Sequence, residues 1–205
     1  ATTTIDARNN WWGDPSGPRN VSTSTPTGIG DSISQNVLYT PWIGRDPSLP
    51  NPVIIVPGIM SSYLNKDDAS NEEVWMNLPK MIFSRDDSYL NSLVLSTLGQ
   101  EISSPGLKAL DVVRTTGVPL FTRHIFDYLT EEIENAGYVE NQDVFFFPYD
   151  WRKDLTDVVS DLKNKIDDIK SQTGSNKVIV VAHSMGGLLT KLYLKNFGGN
   201  SIDRF

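Results

Sequence analysis

Three short apolar runs decide what this chain can build. Val53-Ile54-Ile55-Val56 closes on Pro57-Gly58, Val144-Phe145-Phe146-Phe147 closes on Pro148, and Lys177-Val178-Ile179-Val180-Val181-Ala182 follows the turn-like Gly174-Ser175-Asn176. They are too short for helices and rich in β-branched or aromatic side chains, and the first has no polar residue in alternation. That is the pattern of a strand covered on both faces, as in a parallel sheet. Amphipathic stretches of about 12 to 18 residues lie among the runs, an alternation that predicts βαβ units with right-handed crossovers in an open α/β sheet.

The helical spacings are explicit. Ile125, Phe126, Leu129, Ile133 and Ala136 recur on one face and stop at Gly137, a natural left-handed C-cap. Leu155, Val158, Val159, Leu162, Ile166 and Ile169 form a second stripe, with Asp, Lys and Asn opposite. A third helix begins after Ser184, carries Leu188, Leu189 and Leu192, and ends at Gly198-Gly199. The excursion from Gly58 to about Thr122 is too long for a simple loop. It contains Val74-Trp75-Met76-Asn77-Leu78-Pro79, and a helix is expected around Tyr89 to Leu98. An insertion at the carboxyl end of a sheet strand lies where ligands bind in such folds, so the segment at about 60–120 is expected to act as a lid or cap.

Residues 1–50 read differently. They are rich in Thr, Ser, Asn, Gly and Pro, and the stretch Asn9-Asn10-Trp11-Trp12-Gly13-Asp14-Pro15-Ser16-Gly17-Pro18 admits short strands and turns but no long helix. The expected organisation is therefore a small all-β segment over 1–50 and an α/β unit over 51–205.

Composition removes several classes of function. A net charge of −7 argues against a nucleic-acid partner, and the absence of Cys excludes disulfides, thiolate zinc and a cysteine nucleophile. No phosphate loop, dinucleotide fingerprint or metal-ligand cluster occurs, so no cofactor and no metal are expected. No apolar run is long enough to span a bilayer, and the first residues do not form a signal peptide. Only His124 and His183 are present, so a histidine base must be one of these or lie outside the chain.

The third run leads directly into Ala182-His183-Ser184-Met185-Gly186-Gly187 and then a helix. Strand, tight turn and helix are the context of the nucleophile elbow G-x-S-x-G, with Ala182 in the first glycine position. Small residues two before and two after the serine let strand and helix pass closely. The Met185 N–H, at the helix start, is a candidate oxyanion donor, favoured by the helix dipole. The loop after an early strand supplies the second donor in such enzymes; here that is Ile59 of Pro57-Gly58-Ile59-Met60, with Met60 as the neighbour that could replace it. The competing reading of the elbow is an ordinary turn whose serine caps the helix.

Four motifs taken in order, Pro52 to Gly58, Trp75-Met76-Asn77-Leu78, Tyr149-Asp150-Trp151-Arg152 and Ala182 to Gly187, resemble the lecithin:cholesterol acyltransferase and lysosomal phospholipase A2 family of α/β-hydrolases over roughly residues 52–197. The Tyr-Asp-Trp-Arg tetrad is the most specific of them, since the elbow is shared by all lipases and esterases. The resemblance implies acyl transfer from glycerophospholipid or other acyl esters through a Ser-Asp-His triad and an acyl-serine. It implies Ser184 as nucleophile, with Met185 and Ile59 as oxyanion donors.

In this fold the triad Asp and His follow the Ser, so they are expected beyond Phe205, and these residues alone are expected to be inactive or nearly so. His183 adjoins the serine, where an elbow turns the neighbouring side chain away, and is read as packing or a local hydrogen bond. His124 is read as a surface or capping residue. Asp150 and Arg152 are expected to pair and organise the end of the second strand, while Trp75 lines an acyl pocket or packs in the insertion. Apolar side chains of the insertion, rather than charge, would meet a lipid surface.

Residues 6–18, with Gly28-Ile29-Gly30-Asp31, Val37 and Pro41-Trp42, resemble the terminal coil of a right-handed parallel β-helix of surface-associated type. That resemblance implies preceding repeats and an extracellular or cell-surface location. Two other functions stay open: a non-lipid esterase, thioesterase or peptidase-like hydrolase, and a surface adhesion or carbohydrate-binding protein with a remnant hydrolase domain.

Overall fold

The computed structural model describes residues 4–14, 16–21, 28–42, 48, 50–118, 121–124 and 126–205, excepting the side chains of 115–118 and 121–124. Pro15 of the N-terminal motif and Ile125 of the first helical stripe lie outside the described residues. Turn formers keep the first strands to two to four residues: β1 (Ile5–Asp6), β2 (Pro18–Asn20), β3 (Gly30–Ile33) and β4 (Val37–Leu38). Both pairings there, β1 with β4 and β2 with β3, are parallel.

The three apolar runs become β5 (Val53–Val56), β11 (Val144–Phe146) and β12 (Val178–Ala182) of one parallel sheet, joined by β13 (Ile202–Arg204) in the order β11-β5-β12-β13. β5 is central, with Val53 opposite both Val144 and Ile179. Alternation sends the two halves of each strand to different cores. Ile54, Val56, Phe145, Val178 and Val180 pack with helix α3 (Leu155–Thr173) and helix α4 (Met185–Phe197), while Val53, Ile55, Val144 and Phe146 pack with Phe126 and Leu129 on the side of α2 (Asp127–Asn135). Each such side chain contributes about 1.5–3 kcal/mol when fully buried, so both faces demand apolar residues and the run is unbroken.

Helix ends follow the sequence signals. Asp154 caps α3 by accepting from the Thr156 N–H at 2.7 Å, and Gly174, at φ +70°, ends it. Gly137, at φ +94°, follows the last residues of α2. In α4, Leu189 is fully buried but Leu188 is exposed. The outer strand β13 (Ile202–Arg204) has no counterpart in the sequence reading; one buried apolar residue, Ile202, registers it against Val178.

The insertion after β5 folds as its own small layer. β6 (Ser62–Lys66) lies between β7 (Glu73–Trp75) and β8 (Leu107–Val112), all antiparallel, over a cluster of Leu64, Val74 and Leu107. A short helix, α1 (Leu78–Phe83), is capped by Asn77, which accepts from the Lys80 N–H at 3.0 Å. β9 (Thr115–Val118) and β10 (Phe121–His124) pair antiparallel in a separate two-stranded sheet.

The helix expected at Tyr89 to Leu98 is instead a 3₁₀ turn over Ser88–Leu93, followed by Leu95 bridging Glu101. Ser96 accounts for the difference: its hydroxyl accepts from the Leu98 and Gln100 N–H groups, and Gly99 turns back at φ +74°. His124 is the last residue of β10, paired with Thr115, and the cap position of α2 is Phe126; the side chain of His124 lies outside the described atoms.

Candidate active site

β12 runs into α4 through a turn of two residues, His183 and Ser184. The His183 N–H donates to Val56 O at 3.1 Å and carries the β12–β5 pairing one step past the strand. Ser184 then takes φ +53° and ψ −121°, a region that costs a non-glycine residue about 1–3 kcal/mol and persists only where the surroundings enforce it. The enforcement is visible at Gly186, where an added Cβ would stand 2.4 Å from Val56 O and 2.5 Å from Pro57 O. α4 therefore lies directly on the end of β5, which leaves the intervening turn no relaxed path.

The serine hydroxyl is exposed and makes no capping bond to the helix. Against the ordinary-turn reading, Ser184 occupies the cap position without performing the cap. Of the first helical N–H groups, Gly186 donates to His183 O and Gly187 to Ser184 O, both at 2.9 Å. Met185 N–H has no acceptor among the described residues. His183 is exposed rather than packed, and no described hydrogen bond joins it to Ser184 Oγ.

The loop after β5 passes beside this turn. A Cβ on Gly58 would lie 3.0 Å from Ser184 Cβ and 3.0 Å from His183 Nδ1. Ile59 and Met60 follow in a tight turn closed by Ser61 N–H to Gly58 O at 3.3 Å, with Met60 at φ +62°. Both side chains are about half exposed, so they form part of the surface around Ser184. The structure thus brings Ser184, Met185 and the Ile59 loop together.

The Tyr149–Arg152 tetrad sits beneath that loop. Tyr149, buried, donates its hydroxyl to Pro57 O at 3.0 Å and its N–H to Ser62 Oγ at 3.1 Å. Burial pushes its phenol well above the ordinary tyrosine value. Trp151 Nε1 donates to Ser62 O at 3.2 Å, and Trp75 Nε1 to Met60 O at 3.0 Å; the two indoles meet edge to face with centroids 5.4 Å apart. Trp75 packs in the insertion.

Asp150 and Arg152 pair as expected, through Nε–Oδ1 at 2.9 Å and Nη2–Oδ2 at 2.7 Å. The guanidinium also donates to Glu101 and, at 3.1 Å, to Ser92 O. Burial opposes its charge, but the Asp150 and Glu101 carboxylates outweigh that and hold Arg152 above its usual value. Sequence reasoning missed Ser62, Ser92 and Glu101. Ser62 is fully buried, yet nothing in Ser61-Ser62 distinguishes one serine from the other until Tyr149 and Trp151 arrive.

A cavity of about 410 Å³ between β8 and α3 is lined by Tyr149, Asp150, Asp67, Lys108 and Lys153 and does not reach Ser184. Among the described residues, no group of three His, Asp or Glu side chains is placed to hold a metal, and no helix is long and apolar enough to cross a membrane.

A family model described as "Lecithin:cholesterol acyltransferase" matches residues 71–204. "Lecithin-cholesterol acyltransferase-like 4" of Arabidopsis thaliana is 31% identical over 166 residues, which cover 73% of this chain and 31% of that protein. "Phospholipase A(1) LCAT3" of the same plant is 26% identical over 167 residues, covering 70% of this chain and 37% of the relative. The human "Lysosomal phospholipase A and acyltransferase" is 25% identical over 187 residues, covering 73% and 44%. The chain spans less than half the length of these curated relatives.

Proposed function

Since the chain belongs to the lecithin:cholesterol acyltransferase family, whose relatives here are phospholipases and acyltransferases, we propose that it carries the nucleophile half of a serine hydrolase acting on lipid acyl esters. Ser184 Oγ attacks the acyl carbonyl carbon, and its proton passes to a histidine base oriented by an aspartate. The carbonyl oxygen, now an oxyanion, is held by the Met185 and Ile59 N–H groups. Collapse expels the alcohol of the lysolipid with a proton from the histidine and leaves an acyl-serine, which water or an acceptor alcohol then takes over. Among the described residues no histidine is hydrogen-bonded to Ser184, and we expect residues 1–205 on their own to turn over slowly at most.

One observation carries the reading. Ser184 is held at a positive φ between β12 and α4, exposed, free of any capping bond, and in contact range of the loop after β5. The strand order β11-β5-β12-β13 supports an α/β-hydrolase fold for residues 51–205. The lipid class is supported by exposed apolar side chains in the insertion, Met81, Ile82, Phe83 and Leu98, and beside the elbow, Ile59 and Leu188. Such a surface suits contact with lipid better than a chain of net charge −7 suits attraction to anionic headgroups. The parallel pairings β1–β4 and β2–β3 support reading residues 1–50 as the last coil of a β-helix, and with it an extracellular or cell-surface protein.

The test is labelling of the full-length protein with a fluorophosphonate, followed by a lipid panel. Labelling abolished by Ser184→Ala, with faster turnover of phospholipid vesicles than of water-soluble short-chain esters, is expected. Equal labelling of both proteins refutes the nucleophile. Preference for soluble esters assigns a non-lipid esterase, and no labelling at all assigns a binding protein with a remnant domain.

A further inference from the structure

The loop from Pro57 to Ser62 has an unusual distribution of hydrogen bonds. Each of its six carbonyls has a donor: Pro57 O takes Tyr149 Oη, Gly58 O the Ser61 N–H, Ile59 O the Ser61 hydroxyl at 3.3 Å, Met60 O the Trp75 indole, Ser61 O the Val113 N–H at 2.8 Å, and Ser62 O the Trp151 indole. The Ile59 and Met60 N–H groups, by contrast, have no acceptor among the described residues. Every carbonyl of the loop is held while its two middle amides stay unpaired, and the residue before them, Gly58, runs beside the elbow, where an added Cβ would lie 3.0 Å from Ser184 Cβ.

Resting on the hydrolase reading above, we propose that Tyr149, Trp151 and Trp75 are positioning residues that fix the oxyanion-binding amides of this loop by holding its carbonyls from behind. The three donors come from two separate parts of the chain, the tetrad after β11 and the end of β7. The peptide units that carry the Ile59 and Met60 amides have their own carbonyls, Gly58 O and Ile59 O, on Ser61, while the flanking units are held through Pro57 O by Tyr149 and through Met60 O by Trp75, so the two amides are fixed by anchors on either side of them. Tyr149 is the firmest of the three: its ring is in the main core, stacked on Phe147 with centroids 5.9 Å apart, and its backbone N–H holds Ser62 Oγ as well. Trp75 holds the outer end of the turn, at the residue with positive φ. The tetrad therefore acts through the loop, and none of the three side chains needs to touch substrate. Arg152 has a different part, tying the tetrad to Ser92 and Glu101 of the insertion.

Tyr149→Phe removes one donor and keeps the ring, and Trp75→Phe removes one donor and leaves a smaller aromatic ring in place of the indole. In the full-length protein, kcat is expected to fall about 10- to 100-fold, the range for an oxyanion group misplaced by up to about 1 Å, with KM within about twofold. A trifluoromethyl ketone analogue, which forms the oxyanion, should lose affinity by the same factor, while a non-reactive ether analogue binds unchanged. A merely structural role predicts equal losses for both analogues. Thermal melting is run alongside, and if Tyr149→Phe fails to fold, Trp75→Phe, nearer the surface, decides. Labelling of wild type at Ser184 with unaltered kcat in the folded variant, or parallel loss of ketone and ether binding, overturns this inference alone. Failure of wild type to label at Ser184 overturns the hydrolase reading and this inference with it.

Discussion

Two adjacent glycines of α4 should respond to the same substitution in opposite directions. A Cβ at Gly186 would stand 2.4 Å from Val56 O and 2.5 Å from Pro57 O, both of them backbone atoms that cannot swing aside as a side chain would. Either α4 or the end of β5 must move by roughly 1 Å, at a cost near the upper end of the usual 1–3 kcal/mol for overpacking. Alanine returns about 1 kcal/mol of helix propensity, leaving Gly186→Ala destabilised by about 2 kcal/mol. At Gly187 a Cβ meets nothing within 4 Å and the backbone is helical, so Gly187→Ala should gain about 0.5–1 kcal/mol. The two variants are then separated by about 3 kcal/mol, or roughly 6–12 °C in Tm for a chain of this size. Thermal unfolding followed by circular dichroism, with urea titration as a check, measures the gap. A Gly186→Ala protein as stable as Gly187→Ala would refute the close crossing of α4 on β5, and with it the account of why Ser184 is strained.

Arg152→Met should cost about 3–5 kcal/mol in urea titration, because it leaves the Asp150 carboxylate buried without its partner; a loss below about 1 kcal/mol would contradict the buried pair. Leu189→Ala should lose about 2–5 kcal/mol, whereas Leu188→Ala, exposed on the same helix, should stay within about 0.5 kcal/mol, and similar losses would place the helix face wrongly. Hydrogen bonding to Arg114 lowers the Glu140 carboxyl below its usual 4.5, so the folded state gains from its ionised form. That gain is fully present above pH 4.5 and is lost as pH falls through the lowered folded value. The stability difference between wild type and Glu140→Gln should accordingly be constant near neutrality and shrink in acid; a difference that grows in acid would reverse the assignment.

The residues that read most clearly in the sequence are those whose burial is two-sided or whose spacing is local. Val53–Val56 could be placed as a strand because both its faces meet apolar partners, and Gly137 as a helix end because its φ of +94° is a property of that position alone. Ala182 and Gly186 around Ser184 were legible for a similar reason, since close crossing of strand and helix leaves room only for small side chains. β13 was not legible, because one apolar residue among polar ones signals nothing until Val178 supplies the register. The insertion was misread at Tyr89 to Leu98, where a helix was expected and the Ser96 hydroxyl instead folded the chain back on itself. The tetrad was recognised by its letters, yet its bonds to Pro57 and Ser62 join parts of the chain that no local pattern relates.

The central place of β5 has a consequence for the order in which the protein can be made. Its neighbours in the sheet, β11 and β12, are translated only after the whole insertion, at 5–20 residues per second a delay on the order of ten seconds. During that interval four consecutive buried side chains have no sheet to enter. The antiparallel layer of β6, β7 and β8 has shorter-range contacts and can assemble first. Val113 would then grip Ser61 before Tyr149 and Trp151 exist to close the other side of the loop. Nascent chains halted before Val144 should therefore bind chaperones through Val53–Val56, the stretch that later lies deepest in the folded sheet.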